Sequence, residues 1–218
     1  MEDIAGHGRT ILFVSHSMGA VQQLCDRVLW LEQGRMVEDT HDIAGVARRY
    51  LFGAEGQVSS MQIEETKPNH ILKITHISVG DENGVAYASS VEASAPIFVR
   101  IEANIEDPQI DLKIGYGLFD EAGQLLYRSF ATDGAPEVWP QLVKGRCVLR
   151  TQIPPRLLNE GLYRIEVVAG LHNKQWAYAP NQLPHITFRI LGGLSDSPHW
   201  IGRRDGVFAP VFLWQRVG

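Results

Sequence analysis

The hydrophobic pattern of the chain changes near residue 70. From Ile71 onward, apolar and polar residues alternate with a period of two in several short runs. This alternation is typical of antiparallel strands that bury one face. The clearest runs are PIFVRIEANI (96–105), DLKIGYGLFD (111–120), GLYRIEVVAGL (161–171) and HITFRIL (185–191). In the third run, Arg164 and Glu166 are predicted to face outward, away from the core.

Turn-forming sequences separate these runs. They are DENG (81–84), EDPQ (106–109), DEAGQ (120–124), VKGR (143–146) and LLNEG (157–161). About eight strands at this spacing, with no helix of ten residues after Tyr50, predict a mainly β domain at residues 69–218. The predicted fold is an antiparallel two-sheet β-sandwich of immunoglobulin or jelly-roll type. The sequence lacks the Cys…Trp…Cys pattern of an antibody domain.

The first fifty residues have a different pattern, typical of a short α/β segment. TILFVS (10–15) predicts a buried strand, and MGAVQQLCDRV (18–28) predicts a helix with one apolar stripe. VLWLEQGRMVED (28–39) predicts two short strands that meet at Gln33-Gly34, and HDIAGVARRYLF (41–52) predicts a closing amphipathic helix. The aperiodic residues 53–68 are interpreted as a linker.

Composition narrows the possible functions. The net charge is −5 with both signs mixed along the chain, so no basic tract predicts a nucleic-acid partner. No apolar run reaches the roughly 20 residues that a membrane helix needs, and the polar N-terminus is unlike a secretory signal. Cys25 and Cys147 lie far apart without metal-ligand spacing, so we expect two reduced thiols, no metal site and a cytoplasmic location.

Residues 10–40, TILFVSHSMGAVQQLCDRVLWLEQGRMVEDT, resemble the end of an ABC-transporter nucleotide-binding domain. The resemblance implies that His16 is the switch histidine that contacts the γ-phosphate of ATP. The chain has no GxxxxGK[ST] loop, no LSGGQ-like signature and no strand ending in Asp-Glu before His16. We therefore expect residues 1–52 to be a loosely held ATPase remnant with no enzyme activity, and Met1 to be an internal methionine. ATP and Mg²⁺ would then be cofactors of the intact parent subunit, with none for this fragment.

An ATPase remnant followed by a β-sandwich resembles the Wzt-type ATP-binding subunits of bacterial O-antigen polysaccharide exporters. FDEAGQLLYRSF (119–130), IPPRLLNEGLYRIEVVAGLHN (153–173) and HITFRILGG (185–193) carry this resemblance in the β half. It implies a non-catalytic carbohydrate-binding module that recognises the non-reducing terminus, or its cap, of lipopolysaccharide O-antigen for export. It also implies a homodimer and a membrane-spanning exporter subunit as partners, at the inner face of the inner membrane. The alternative function is that of a structural sandwich that only dimerises or docks on the exporter. Separately, VFAPVFLW (207–214) is either the last strand of the sandwich or an arm that pairs with another subunit.

Carbohydrate sites combine an aromatic ring for the C–H face of a sugar with planar polar groups for its hydroxyls or acidic substituents. The segment HNKQWAYAPNQ (172–182), predicted as a loop, and three other positions offer such groups. The candidate residues are His172, Asn173, Lys174, Trp176, Tyr178, Arg128, Arg164 and Trp139. The alternative interpretations are ion pairs on a solvated sheet face and tryptophans that cover a core edge. A carboxylate pair for glycoside hydrolysis, Glu102 with Glu166, is disfavoured because both have arginine neighbours.

Overall fold

The computed structural model describes residues 11–15, 18–32, 34–52, 57–64, 70–180, 182–183, 185–199 and 202–217. The chain divides into two compact units. One is Met1–Ala54 with Ala122–Gln124, and the other is Glu55–Glu121 with Leu125–Gly218. His16, the predicted switch histidine, lies outside the described residues.

The described residues of the first unit form two helices and one hairpin. Its elements are α1 (Met18–Leu24), β1 (Val28–Glu32), β2 (Arg35–Thr40) and α2 (Ile43–Phe52). The antiparallel pairing of β1 with β2 and the positive φ of Gly34 agree with the predicted hairpin. Asp42 caps α2, because its carboxylate accepts a hydrogen bond from the Gly45 N–H at 3.0 Å. Residues 11–15 form no strand, and the described residues of this unit include no neighbour for a parallel sheet.

The second unit is a β-sandwich of two antiparallel sheets. The first sheet has the order β3 (Ser60–Gln62), β4 (Leu72–Gly80), β5 (Ile97–Ile105) and β8 (Gly145–Ile153). The second has the order β10 (Gln175–Tyr178), β9 (Gly161–Leu171), β6 (Leu112–Phe119) and β7 (Leu125–Phe130), and β11 (Ile186–Ile190) also pairs with β9. A 3-10 helix, Pro136–Val138, follows β7. The predicted fold class is confirmed.

Inward-facing side chains from both sheets form one hydrophobic core. In β5, the predicted inward set of Ile97, Val99, Ile101, Ala103 and Ile105 is buried as the alternation requires. Strand β9 differs, because every residue from Leu162 to Leu171 is buried. The predicted inward residues of β9 join the core, and Arg164 and Glu166 lie on the other face of the strand as predicted, but both are buried and not exposed to solvent.

Part of the segment predicted as a linker belongs to the sandwich. Strand β3 pairs with β4, and the Val79 N–H donates to the Ser59 carbonyl at 2.7 Å. Val58 exchanges two hydrogen bonds with Thr187 of β11, one to its hydroxyl and one from its N–H. Main-chain hydrogen bonds therefore hold this segment against both sheets. The sequence of so short a strand gives little indication of such pairing.

Candidate functional site

Three side chains meet on the outer face of the second sheet, near the β9–β10 hairpin. Trp176 and Lys113 lie on either side of Gly170, and Phe130 lies opposite Gly115. The Lys113 ammonium sits 5.2 Å from the centre of the Trp176 ring and 5.0 Å from that of Phe130, within cation–π range. Trp176 remains 48% exposed. We call Lys113, Phe130 and Trp176 the tryptophan face.

Glycines allow the aromatic rings to lie on this sheet. A Cβ on Gly115 would lie 2.7 Å from Cδ1 of Phe130, and a Cβ on Gly170 would lie 2.6 Å from the Gln175 carbonyl oxygen. Both distances are too short for a real side chain, so any other residue would push the ring or the neighbouring strand away. The tryptophan face therefore depends on glycine at both positions.

The β9–β10 turn lies beside the tryptophan face. Its residues His172, Asn173 and Lys174 are exposed, and Asn173 adopts a left-handed conformation with φ +54. The Lys174 ammonium lies 2.7 Å from the carboxylate of Asp111. That hydrogen bond, more than the charge of Lys174, holds the pKa of Asp111 below its usual range. The predicted Lys174 is thus an ion-paired residue at the edge of the candidate site.

Tyr178, also predicted as a site residue, belongs to the core. The structure places both Trp176 and Tyr178 on strand β10 and not on a loop. A β-bulge between them sets Trp176 against Gly170 and Tyr178 against Ala169, so the two rings occupy opposite faces of the sheet. Tyr178 is 6% exposed, and its hydroxyl lies 3.3 Å from the Leu72 carbonyl oxygen, to which it donates.

The other three predicted site residues, Arg128, Arg164 and Trp139, lie in different environments. Arg128 is exposed on β7, two residues before Phe130 and therefore on the same side of the strand. Arg164 is buried, with its guanidinium 4.6 Å from the Phe119 ring centre and 2.8 Å from the Glu166 carboxylate. Trp139 is half-buried and donates its Nε1–H to the Gly134 carbonyl at 2.7 Å, so it packs against its own loop.

Sequence reasoning did not select Lys113 and Phe130 as site residues. The available signal was the outward set of DLKIGYGLFD, in which one lysine is followed by two glycines. Glycines on the outer side of a strand leave space for neighbouring rings, but the sequence does not show which ring fills it. Phe130 comes from another strand, whose register decides the contact.

The first sheet carries a separate ionic cluster around Glu102. Its carboxylate lies 2.9 Å from Arg100, 2.9 Å from Arg146 and 3.6 Å from His76. The hydrogen bond from Arg146 is the main reason that the pKa of Glu102 is lowered. The nearby positive charges lower this pKa further, whereas burial raises it. Glu102 and Glu166 lie in different sheets and do not form a carboxylate pair.

If Arg146 is removed, the stabilising contribution of Glu102 should be lost at a higher pH during acidification. Because the folded-state pKa of Glu102 is lowered, its stabilising contribution is present above the unfolded pKa and is lost as pH falls through the folded pKa. In Arg146→Ala, the folded pKa should rise toward the ordinary value, so the smaller contribution disappears at higher pH. Carboxyl NMR titration of the variant measures this shift. Lys73→Ala, on the neighbouring strand, is the control, and an unchanged Glu102 titration in Arg146→Ala would contradict the assignment.

The described residues contain no cluster of three or more metal-ligating side chains. Within the same part of the chain, no helix has the length and hydropathy required to span a bilayer.

The chain resembles ATP-binding proteins of transporters over short regions. It is 38% identical over 50 residues to the teichoic acids export ATP-binding protein TagH of Listeria innocua. The aligned region covers 23% of this chain and 15% of that protein. It is 50% identical over 38 residues to the O-antigen export system ATP-binding protein RfbB of Klebsiella pneumoniae, covering 17% and 15%. A methionine import ATP-binding protein of Caulobacter vibrioides is 38% identical over 60 residues, covering 24% and 18%. The matched regions span less than a fifth of each relative.

No protein-family model matches the chain. Among solved structures, the C-terminal domain of wzt aligns with 78% of this chain and 95% of that domain, with a TM-score of 0.48 and 14% identity. The predicted resemblance to ATP-binding subunits of polysaccharide exporters is confirmed by the export relatives.

Proposed function

We propose that the chain is part of the ATP-binding subunit of an ABC exporter of cell-surface polysaccharide, and that its β-sandwich is a non-catalytic module that binds the non-reducing terminus of the glycan. The similarity to O-antigen and teichoic acid export proteins supports the first part. The parent subunit would work in the cytoplasm at the inner face of the membrane, with a membrane-spanning exporter subunit as partner. Since the sequence lacks a phosphate-binding loop, we expect no ATP hydrolysis by this chain alone.

The exposed indole of Trp176 is the observation that carries the carbohydrate-binding proposal. The ring is held on a strand, opposite Gly170, which leaves room for the main chain of Gln175 and Trp176 to approach. An indole presented in this way offers an apolar surface for the C–H face of a sugar ring. The rigid strand reduces the ordering cost of binding, which matters for a strongly hydrated ligand.

Positive charge beside the ring indicates the kind of terminus that the face would accept. Lys113 lies between two rings, and Arg128 is exposed on the next strand. Both donate hydrogen bonds and neither accepts them. The tryptophan face therefore suits a sugar with acceptor-rich or acidic substituents more than one with an amine.

The test is saturation-transfer NMR with the full chain and delipidated O-polysaccharide from the organism that encodes it. Two forms of the polysaccharide are compared, one with its native non-reducing terminus and one with that terminus removed. We expect transfer to the terminal residue only, and a loss of at least about tenfold in affinity for Trp176→Ala.

Trp214→Ala is the matched control, because Trp214 is exposed but lies far along the chain from the tryptophan face. Its affinity should equal that of the unmodified protein. Absence of transfer from either polysaccharide, with the protein well folded, would refute the carbohydrate-binding proposal.

A second candidate function, assembly, is favoured by the C-terminal segment. Residues 211–217 form no regular secondary structure, and Phe212, Leu213, Trp214 and Val217 are exposed. The segment therefore does not complete either sheet as a last strand. Such apolar side chains suit an arm that packs on a second subunit of a homodimer. Sedimentation of the full chain tests this function independently of any glycan.

A further inference from the structure

A small cavity opens on the outer face of the first sheet, on the opposite side of the sandwich from the tryptophan face. Ser78, Arg100 and Arg150 stand in one row across β4, β5 and β8. Together with Phe98 and the loop 80–84, they line a cavity of about 60 Å³. We call it the arginine pocket. Because one water needs about 10–15 Å³ on this scale, the pocket holds roughly five water-sized groups.

Arg150 contributes a positive charge that no acidic group neutralises within the described residues. Its Nη1 donates to the Glu82 carbonyl oxygen at 2.6 Å, and its guanidinium carbon lies 4.6 Å from the centre of the Phe98 ring. No carboxylate of the described residues lies within 4.0 Å of its nitrogens. The carbonyl and the ring fix the guanidinium plane while leaving the charge available to a ligand.

Arg100 forms the adjacent wall and has only a shared counter-charge. Its Nη2 lies 2.9 Å from Glu102, a carboxylate that also pairs with Arg146. Its Nη1 lies beside Gly84, where a Cβ would approach to 2.9 Å. Glycine at this position, with φ +84, leaves room for the guanidinium. One carboxylate that is shared by two guanidinium groups leaves Arg100 only partly neutralised.

Two carboxylates at the rim of the pocket, Asp81 and Glu82, would repel an anionic ligand, but Asp81 already accepts hydrogen bonds from the loop. Asp81 accepts hydrogen bonds from the N–H groups of Asn83 at 2.9 Å and Val85 at 2.8 Å, so its charge stabilises the loop. The side chain of Glu82 is exposed, and only its main-chain carbonyl contacts Arg150. Glu82 therefore supplies a solvent-screened charge at the entrance.

We infer that the arginine pocket binds a phosphate-type oxyanion, either free or as a phosphomonoester. Planar guanidinium groups bind tetrahedral oxyanions through paired hydrogen bonds, and the five heavy atoms of phosphate match the size of the cavity. The site is separate from the tryptophan face, so the inference holds whether or not the sandwich binds a glycan terminus.

The test is a ¹H–¹⁵N NMR titration of the full chain with inorganic phosphate, at an ionic strength held constant with sodium chloride. We expect saturable shifts at the amides of residues 80–84 and at the Nε–H of Arg150. Arg150→Gln should weaken binding about tenfold or more. Arg150→Lys, which keeps the charge without the planar fork, should lose less.

Two further variants separate a pocket from a diffuse charge effect. Lys73→Gln also removes a positive charge from this sheet, but Lys73 lies opposite Asn104 and does not line the pocket, so phosphate affinity should change by less than about twofold. Glu82→Gln should tighten binding, because it removes a repulsive charge at the rim. Equal weakening of phosphate binding by Lys73→Gln and Arg150→Gln would overturn the inference, and so would weaker binding in Glu82→Gln. So would shifts that grow without saturation.

Titrations with glucose 1-phosphate and with glucuronate distinguish the sources of the anion. Tighter binding of the phosphomonoester than of inorganic phosphate assigns the pocket to a phosphorylated sugar or related ester. Equal binding of both assigns it to free phosphate. Tighter binding of glucuronate would contradict the phosphate-type assignment.

Discussion

Replacing Glu166 with alanine should destabilise the sandwich by about 3–5 kcal/mol. Glu166 and Arg164 have side-chain exposures of only 4% and 10%, and their charged atoms lie 2.8 Å apart. The substitution removes one carboxylate from beside a buried guanidinium that is stacked on Phe119. Because breaking an ion pair costs more in a buried site than in water, the loss should far exceed that of an exposed ion pair. Urea denaturation followed by circular dichroism measures it.

The control for this prediction removes both charges together. Arg164→Met with Glu166→Leu keeps the volume and leaves no charge to desolvate, so its stability should equal or exceed that of the unmodified protein. If Glu166→Ala lowers the free energy of unfolding by less than about 1 kcal/mol, the pair behaves like a solvated surface ion pair and the prediction is wrong.

Phe188→Ala should cost a similar amount, about 3–5 kcal/mol, through loss of core packing. Phe188 is fully buried on β11 and stacks on Tyr163 with ring centres 5.6 Å apart. Truncation leaves a cavity that the two packed sheets are unable to close, because cross-strand hydrogen bonds fix their backbones. The free energy of unfolding from urea titration measures the effect.

Phe212→Ala is the matched control for Phe188, since Phe212 is 72% exposed in the C-terminal segment. It should change stability by less than about 0.5 kcal/mol. A loss at Phe212 comparable to that at Phe188 would instead show that the C-terminal segment is buried in solution, as expected for a dimer arm.

The tryptophan face and the arginine pocket have separate readouts. The first is anchored on β6, β7 and β10 of the second sheet, and the second on β4, β5 and β8 of the first sheet. Trp176→Ala should leave phosphate shifts at residues 80–84 unchanged, and Arg150→Gln should leave saturation transfer to a sugar unchanged. The failure of one proposal therefore does not decide the other.

The candidate site was only partly predictable. An aromatic residue outside the core alternation is a candidate for sugar binding, which points to Trp176, and Trp176 is exposed in the structure. The same criterion points to Tyr178, but the bulge between Trp176 and Tyr178 turns Tyr178 inward. A bulge adds one residue to a strand and inverts the faces beyond it. The sequence HNKQWAY does not mark where this happens.

Local patterns determined most of the fold class. The alternation in β5 defines a strand with one buried face because successive side chains point to opposite sides of a sheet. The position of Gly34 marks the hairpin of the first unit, because positive φ is a local requirement. These features depend on neighbouring residues and can be read from the sequence alone.

Tertiary structure decided everything that depends on which strands lie side by side. Strand β9 is central in its sheet, so Arg164 and Glu166 are buried although their alternation resembles that of a solvated face. Arg100 and Arg150 are 50 positions apart and meet only through the register of β5 with β8. A polar residue in an alternating strand is equally compatible with solvent, with a buried ion pair and with a binding pocket. Long-range pairing selects among them, because it determines what covers each face.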